Sequence, residues 1–546
     1  MINVNRGISG ETIREAFFRS CFKSILPVFL SLIFFNLPLH AQITRYVSIS
    51  GDDIGGGNVC ADAESPCRTI SQAVSAAASG DIIQIGQGIY TESITIGKSL
   101  SLLGSGQGLT IIQTSDVPPG NQGEANERVI LIEANLEVEI ADVTIRHGRA
   151  FGGSGGGLRV VESSVTLVNV TFTQNSASFD GGGLSSTLSS LTLDNVIFEN
   201  NLADNGGGMS NTISSPILTN VTLMGNSAAG NGGAIYNNNS NPVLANVIIA
   251  GNSAELGGGI NNVDSSPTLT NVIFSGNKAD MLGGGIRNSD ENSNPVLTNV
   301  TFSGNTAAEG GGMANSSSGP VVVNSIYWNN EAMSGVGTLS ASIFNDGPPG
   351  PTVSYSLIQG IDYSGENNLD GTDPVNDPLF NEIPDPGDAP TTAGDLRLQT
   401  GSPVIDMGDP DTDLQLFVLN DEEVPVDLDG NPRVSNGRID LGAYEYTDPT
   451  SVGYIAELPS IMELHQNYPN PFNPSTIIGY SLPEQTNIEL AVFDLLGRRV
   501  AVLADGDQLA GRYEVTFNAS GLVSGLYIYR LRAGTEVRTG RMTLLK

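Results

Sequence analysis

The stretch from Gly155 to Ala332 is an internal repeat, and it restricts the fold more than any other feature of the chain. The residue after each glycine cluster falls at Leu158, Leu184, Met209, Ile235, Ile260, Ile286 and Met313, in steps of 26, 25, 26, 25, 26 and 27 residues. Eleven residues further on stands an asparagine, at Asn169, Asn195, Asn220, Asn246, Asn271 and Asn324; only Asn299 slips, by two, where the turn "DENSNP" is longer. A period of roughly 20–50 residues marks a solenoid, a propeller or an array.

Columns within the repeat give the local structure. Two residues before each asparagine the chain reads Leu167, Leu193, Leu218, Leu244, Leu269, Leu297 and Val322. One residue after it stand Val170, Val196, Val221, Val247, Val272, Val300 and Ser325, and three after it Phe172, Phe198, Leu223, Ile249, Phe274, Phe302 and Tyr327. Side chains two apart share one face of a strand, so these columns point inward and stack at about 4.8 Å per coil. A single coil cannot bury its face, but a stack can. A second asparagine column, Asn175, Asn201, Asn226, Asn252, Asn277, Asn305 and Asn330, is followed two residues later by alanine throughout. Stacked amides hydrogen-bond along a ladder, and asparagine and glycine tolerate the left-handed backbone of sharp corners. These residues are read as structural. A leucine-rich repeat has an overlapping period, but its leucine framework and helical half are missing.

The chain has 546 residues, 24 basic against 58 acidic, for a net charge of −34. Nucleic-acid binding depends on Lys and Arg neutralising phosphate, so that class is excluded, as is attachment to anionic membranes. Divalent cations are compatible with this charge. Near the N-terminus Arg14, Arg19 and Lys23 precede a broken apolar run from Ile25 to Leu39 that ends in "LHAQ". This reads as an export signal cleaved between Ala41 and Gln42. The run is too short and interrupted for a transmembrane helix, and no other stretch could span a bilayer. Cys21 leaves with the signal; Cys60 and Cys67 remain, an even pair in an exported chain, which reads as a disulfide. A two-cysteine metal site is the alternative, without nearby histidines.

Residues 42–80 form a cap. "RTISQAVSAAASGD" predicts a helix with Ile70, Ala73, Val74 and Ala77 on one apolar face, ended by Gly80. Such a helix covers the open end of a solenoid. Together with the strand runs after it, "CRTISQAVSAAASGDIIQIGQGIYTESITIGKSLSLLGSG" resembles the N-terminal cap and first coils of pectin-lyase-like right-handed parallel β-helix proteins. Residues 81–150 are expected to supply about three irregular coils. The segments "GNGGAIYN" and "VIFSGNKA" resemble repeats of polymorphic outer-membrane proteins. "GDLRLQTGSPVIDMGD" and "VDLDGNPRVSNGRIDLGAYEY" resemble the choice-of-anchor Q domain. From Leu464 to Lys546, "LHQNYPNPFNPSTIIGYSLPE", "VFDLLGRRVAVLADG" and "AGRYEVTFNASGLVSGLYIYRLRAG" resemble type A C-terminal sorting domains of the type IX secretion system, which implies recognition by that machinery at the outer membrane. Alternating strand runs such as Ile488–Phe493, Tyr513–Phe517, Leu526–Arg532 and Met542–Leu545 independently suggest a small β-sandwich.

The expected fold is all-β: a right-handed parallel β-helix solenoid of about eleven coils, near 50 Å long, with an N-terminal capping helix and a C-terminal immunoglobulin-like β-sandwich. The expected segments are 1–41 signal peptide, 42–80 cap, 81–370 solenoid, 371–446 choice-of-anchor-like region, 447–462 linker and 463–546 sorting domain. An autotransporter is excluded, because the last 80-odd residues cannot form a large membrane barrel.

Chemistry is sparsely marked. Glycoside hydrolysis needs two carboxylates flanking the bond, and the regular block has no strand-borne acid pair. The polygalacturonase motifs "NTD", "DD", "GHG" and "RIK" are missing. His147, in "TIRHGRA", reads as structural; His40 lies in the signal and His465 in the sorting domain. Asp180, Asp204, Glu255, Asp280 and Glu309 recur at the turn before the glycine clusters and read as solvated, with a Ca²⁺ bridging carboxylates one coil apart as the alternative. In "DLDGN", Asp427, Asp429 and Asn431, with Asp440, are a candidate Ca²⁺ site by oxygen spacing, although glycine sits at position four rather than six of a calcium loop; a tight Asp-Gly turn is the alternative. The reading is a monomeric, exported, cell-surface or released scaffold that binds glycans or surfaces. The alternative is a polysaccharide lyase or hydrolase of acidic glycans. Residue-specific function is expected where coils vary: the acid-bearing turns, residues 81–150 and the turn at 290–295.

Overall fold

The computed structural model describes residues 42–53, 59–118, 127–414, 425–435, 437–447 and most of 462–544. The signal segment with Ala41 and most of the linker, together with His40 and His465, lie outside the described residues. Two compact units result, Met1–Tyr446 and Thr447–Lys546.

The first unit is a parallel β-solenoid. Each regular coil crosses three sheets, and successive coils pair in parallel with like residues opposed. Leu184 stands opposite Met209, Leu193 opposite Leu218 and Phe198 opposite Leu223. The inward aliphatic and aromatic columns are buried along their length. Phe172 stacks on Phe198 at 4.9 Å, Phe274 on Phe302 at 4.5 Å, and Phe302 on Tyr327 at 4.2 Å. Each such pair adds about 1 kcal/mol beyond its buried area.

Polar ladders run beside this core. Asn175, Asn201, Asn226, Asn252, Asn277, Asn305 and Asn330 are buried, and each of the first six donates its amide to the asparagine of the next coil at 2.9–3.0 Å. A second interior ladder, not singled out from the sequence, links Asn211, Asn237, Asn262, Asn288, Asn315 and Asn345 at 2.8–3.0 Å. At the next corner Ser163, Ser189, Ser214, Ser240, Ser265 and Ser293 each present a hydroxyl to the N–H of the serine one coil earlier, or, for Ser163, to Leu136 N–H. The asparagines eleven residues after each glycine cluster all have positive φ, 52–55°. The glycines answer two demands. Gly257 is left-handed, with φ +65°, whereas Gly258 has no room for a side chain: a Cβ there would lie 2.4 Å from the Lys278 carbonyl oxygen of the adjacent coil.

At the N-terminal end a helix spans Ile70–Ala76. The Thr69 hydroxyl accepts from Gln72 N–H, and Ile70, Ala73 and Val74 are buried, as is Ala77 just beyond. Beneath it Asp81 is fully buried. It accepts hydrogen bonds from Ile43 N–H, Ala78 N–H and Arg45 Nε, with Arg45 Nη2 at 2.7 Å. Burial alone would raise the Asp81 carboxyl, but these bonds and the guanidinium hold it below its ordinary value. Cys60 and Cys67 form a disulfide, both residues fully buried in the core.

The described residues of 371–446 are a strap laid on the outer face of the later coils. It buries Phe380, Leu396, Leu398, Val404 and Leu441 against outward Ile273, Ile326 and Trp328 of the solenoid. The left-handed asparagines serve it as a comb. Asn246 Nδ2 donates to Asp427 O, Asn271 Nδ2 to Val426 O, and Asn299 Nδ2 to Asp440 O and Gly442 O. The same column in earlier coils, Asn169, Asn195 and Asn220, bonds instead to Asp142, Asn169 and Asp194.

In the second unit a three-stranded and a four-stranded antiparallel sheet enclose their own core, including Ile478, Tyr480, Leu490, Val492, Tyr529 and Leu531. The strands expected at 488–493, 513–517, 526–532 and 542–545 lie within Thr486–Phe493, Gly511–Asn518, Gly525–Ala533 and, save its last residue, Glu536–Leu544. The remaining partners are Glu463–Leu464, Ser475–Leu482 and Arg499–Gln508.

Candidate functional site

Two places outside the ladders gather functional side chains: a groove over the irregular first coils, and a buried charge cluster where the strap meets the solenoid.

The groove holds about 460 Å³ and is lined by Gln42, Gly80, Ser99, Leu100, Ser101, Glu137, Val138, Glu139, Ser164 and Thr166. Strand alternation builds it. In Glu137–Arg146, Val138 and Ile140 are buried, which leaves Glu137 and Glu139 outward on one face. The register places Ser164 opposite Glu137, and Thr166 and Ser101 on either side of Glu139. Ser101 Oγ donates to Glu139 Oε2 at 2.9 Å, and Glu137 N–H donates to Ser99 Oγ at 3.0 Å. Among the described residues the Glu137 carboxylate has no hydrogen-bond partner, and the lining contains neither Lys nor Arg. The sequence expectations did not include this pair, although "LEVEI" between apolar alternates puts both acids on one face.

The candidate calcium residues fall in the charge cluster, but their oxygens do not converge on one point. Asp427 is fully buried. Its Oδ1 accepts from Asp429 N–H and Asn431 N–H, and its Oδ2 from Glu445 N–H and Asn431 Nδ2. Asp429 turns outward to a bidentate pair with Arg397, at 2.5 and 2.8 Å. Asp440 accepts from Asp406 N–H and Tyr446 N–H. The cation these carboxylates enclose is Arg433, fully buried, whose guanidinium donates to the carbonyls of Asp440 and Gly442 and lies 3.8 Å from Glu445. Among the described residues no group of three or more His, Cys, Asp or Glu is arranged to hold a metal ion. Calcium and a chelator should therefore give the same melting midpoint. A calcium-dependent rise would restore a metal to this loop.

Burial pushes the Glu445 carboxyl up to about 9 against the pull of Arg433, with Asp440 adding repulsion. It pushes Asp440 up to about 6 against backbone N–H bonds from Asp406 and Tyr446. Asp427 is raised as well, again by burial. In an unfolded chain such groups titrate near about 4, so between that value and 9 the folded unit binds more protons. Stability then falls as pH rises. Asp81 has the opposite sign and loses its contribution only in acid. A melting series should show the midpoint dropping from about pH 5 to about pH 9. Glu445→Gln, permanently neutral, should flatten the upper part of that slope.

The remaining residues singled out from the sequence have structural partners or stand in solvent. His147 is buried, its ring nitrogens 2.9 Å from Ser115 O and 3.1 Å from Gln174 Oε1. Of the acids in the turns, Asp180 accepts from Asn205 Nδ2, while Asp204, Glu255 and Asp280 are exposed. Gln42, on the mature side of the expected cleavage, lines the groove.

The described chain is thus a parallel β-helix followed by a separate antiparallel β domain. That second domain is a secretion-system sorting domain: residues 466–544 match the family model described as "Secretion system C-terminal sorting domain". The protein is exported across the outer membrane, to the cell surface or beyond, by the machinery that reads this tail. Residues 220–238 match the Chlamydia polymorphic membrane protein repeat. No curated protein matches the chain. Three solved structures resemble it. Pectate lyase Pel9A is 13% identical, over 75% of this chain and 98% of that one, with TM-score 0.41. XylC in complex with xylose is 8% identical, over 62% and 88%, with TM-score 0.34. The enzymatically active domain of bacteriophage CBA120 tailspike protein 2 is 12% identical, over 92% and 76%, with TM-score 0.31. At these identities and scores the likenesses say nothing of substrate or site. No helix among the described residues is long and apolar enough to cross a membrane.

Proposed function

We propose that the solenoid is a non-catalytic, surface-displayed scaffold that binds glycans. One observation supports this above others. The recurrent polar side chains are spent coil to coil or on the strap, and the irregular first coils turn an open, hydroxyl-lined groove to solvent. A rigid stack with an extended polar flank is suited to holding a polymer, because little conformational freedom is lost on binding. The competing activity is cleavage of acidic polysaccharide. Incubation of the mature protein with polyuronates and sulfated glycans should release neither unsaturated nor reducing ends. Sustained turnover would replace binding with lyase or hydrolase chemistry.

A further inference from the structure

We infer that the groove over the first coils is a binding site for neutral, hydroxyl-rich oligosaccharides, with Glu137 and Glu139 as the acceptors that fix the sugar hydroxyls. The inference rests on the glycan-binding reading above and gives it a place and a ligand class.

The site is built as a grid. Ser99, Glu137 and Ser164 form one outward row across three coils, and Ser101, Glu139 and Thr166 form the row beside it. Ser190 and Thr192 continue both rows on the next coil. Groups within a coil are about 7 Å apart and successive coils about 4.8 Å apart. A saccharide laid along the solenoid axis therefore meets a carboxylate or hydroxyl at each coil, and the rise of an extended pyranose chain is close to that spacing.

The donor and acceptor balance selects the ligand. An ionised carboxylate only accepts, with two oxygens able to take paired hydroxyl donors, whereas Ser and Thr both donate and accept. Bonds to a charged acceptor are the stronger kind. The Glu137 carboxylate is unengaged among the described residues, and Glu139 gives only one oxygen to Ser101. Hydroxyl-rich ligands satisfy this set. Uronates and sulfated sugars do not, because no Lys or Arg lines the groove and the chain carries a net charge of −34. Like charge at an uncompensated acidic site costs affinity and slows encounter.

Among the described residues the strap's hydrogen bonds to the solenoid begin at Asn246, several coils away from the groove. The β-branched outward column that starts at Thr166 and Thr192 turns apolar at Ile217 and Val243, so the two polar rows run side by side without a break only over the first coils.

Isothermal titration of the mature, full-length protein with cello-, manno- and galactohexaose, beside hexagalacturonate, tests the inference. At least one neutral hexaose should bind, and hexagalacturonate should bind at least tenfold more weakly. In Glu137→Ala/Glu139→Ala affinity for the neutral hexaose should fall at least tenfold, and in Glu137→Gln/Glu139→Gln by less, because an amide oxygen still accepts. Unchanged thermal melts would show that both variants fold; a variant that melts early is replaced by Thr166→Val, for which a twofold to fivefold loss is expected. Full affinity in both Glu variants and in Thr166→Val would overturn the site while leaving glycan binding intact. Failure of every hexaose to bind would overturn the site and weaken the reading beneath it. Preference for hexagalacturonate, or binding only in the presence of calcium, would overturn the ligand class.

Discussion

Replacing Asn252 with leucine should cost the solenoid about 4 kcal/mol, a large part of the 5–15 kcal/mol typical of a folded domain. Asn252 is fully buried. Its Nδ2 donates to Leu223 O and to Asn277 Oδ1, both at 3.0 Å, and its own N–H donates to Asn277 Oδ1. Its Oδ1 accepts from Asn226 N–H at 2.9 Å and Asn226 Nδ2 at 3.0 Å. Leucine fills a similar volume but leaves the Asn226 N–H and one Asn226 Nδ2 hydrogen without acceptors in a dry interior, Nδ2 keeping only its bond to Phe198 O, and takes one donor from the Leu223 carbonyl. Each orphaned group costs roughly 1–3 kcal/mol. Denaturant unfolding can be followed by the single tryptophan, Trp328, which is buried between solenoid and strap. Asn195→Ala, in the exposed coils of the outer column, removes one amide bond to Asn169 and leaves alanine at positive φ. It should cost only about 1–2 kcal/mol. Equal losses at the two positions would mean that the interior ladder does not carry the stack.

Deleting residues 463–546 should abolish surface delivery and leave a folded protein in the periplasm. The two units have separate hydrophobic cores and divide at Tyr446 and Thr447, so the solenoid loses no core residue with the tail. The matched sorting domain, 466–544, goes entirely. Fractionation and protease shaving of whole cells should find the truncated chain protected, and its melt should match that of the same segment in the intact protein. Undiminished surface exposure would show that export is directed from elsewhere in the chain.

Much of this architecture can be read from spacing. The columns at Leu167, Val170 and Phe172 define the inward faces because strand alternation and coil period repeat together, and the cap helix follows from its apolar face and Gly80. From the second regular coil on, the column two residues after the first aliphatic reads Ser186, Asn211, Asn237, Asn262, Asn288 and Asn315, and it forms the second interior ladder. Its signal was present, since alternation places it inward with Leu184 and Met209. The strap also left a trace, in outward Ile273, Ile326 and Trp328, apolar residues where a solvated face would carry polar ones. The charge cluster was less accessible. "DLDGN" fixes an Asx turn, but whether its carboxylates face a metal or a guanidinium depends on Arg397 and Arg433, which the fold brings in. The groove depends likewise on register, because Ser101, Glu139 and Thr166 become neighbours only when three coils of unequal length are stacked.

The most direct test of this account is a screen of the mature protein on an array that pairs neutral with uronate and sulfated glycans, repeated with the Glu137→Ala/Glu139→Ala variant and with product analysis of each bound class. The account predicts retention of neutral glycans, loss of that signal in the variant, and intact ligand recovered after incubation. Retention confined to acidic glycans, or their cleavage to unsaturated or reducing products, would contradict it.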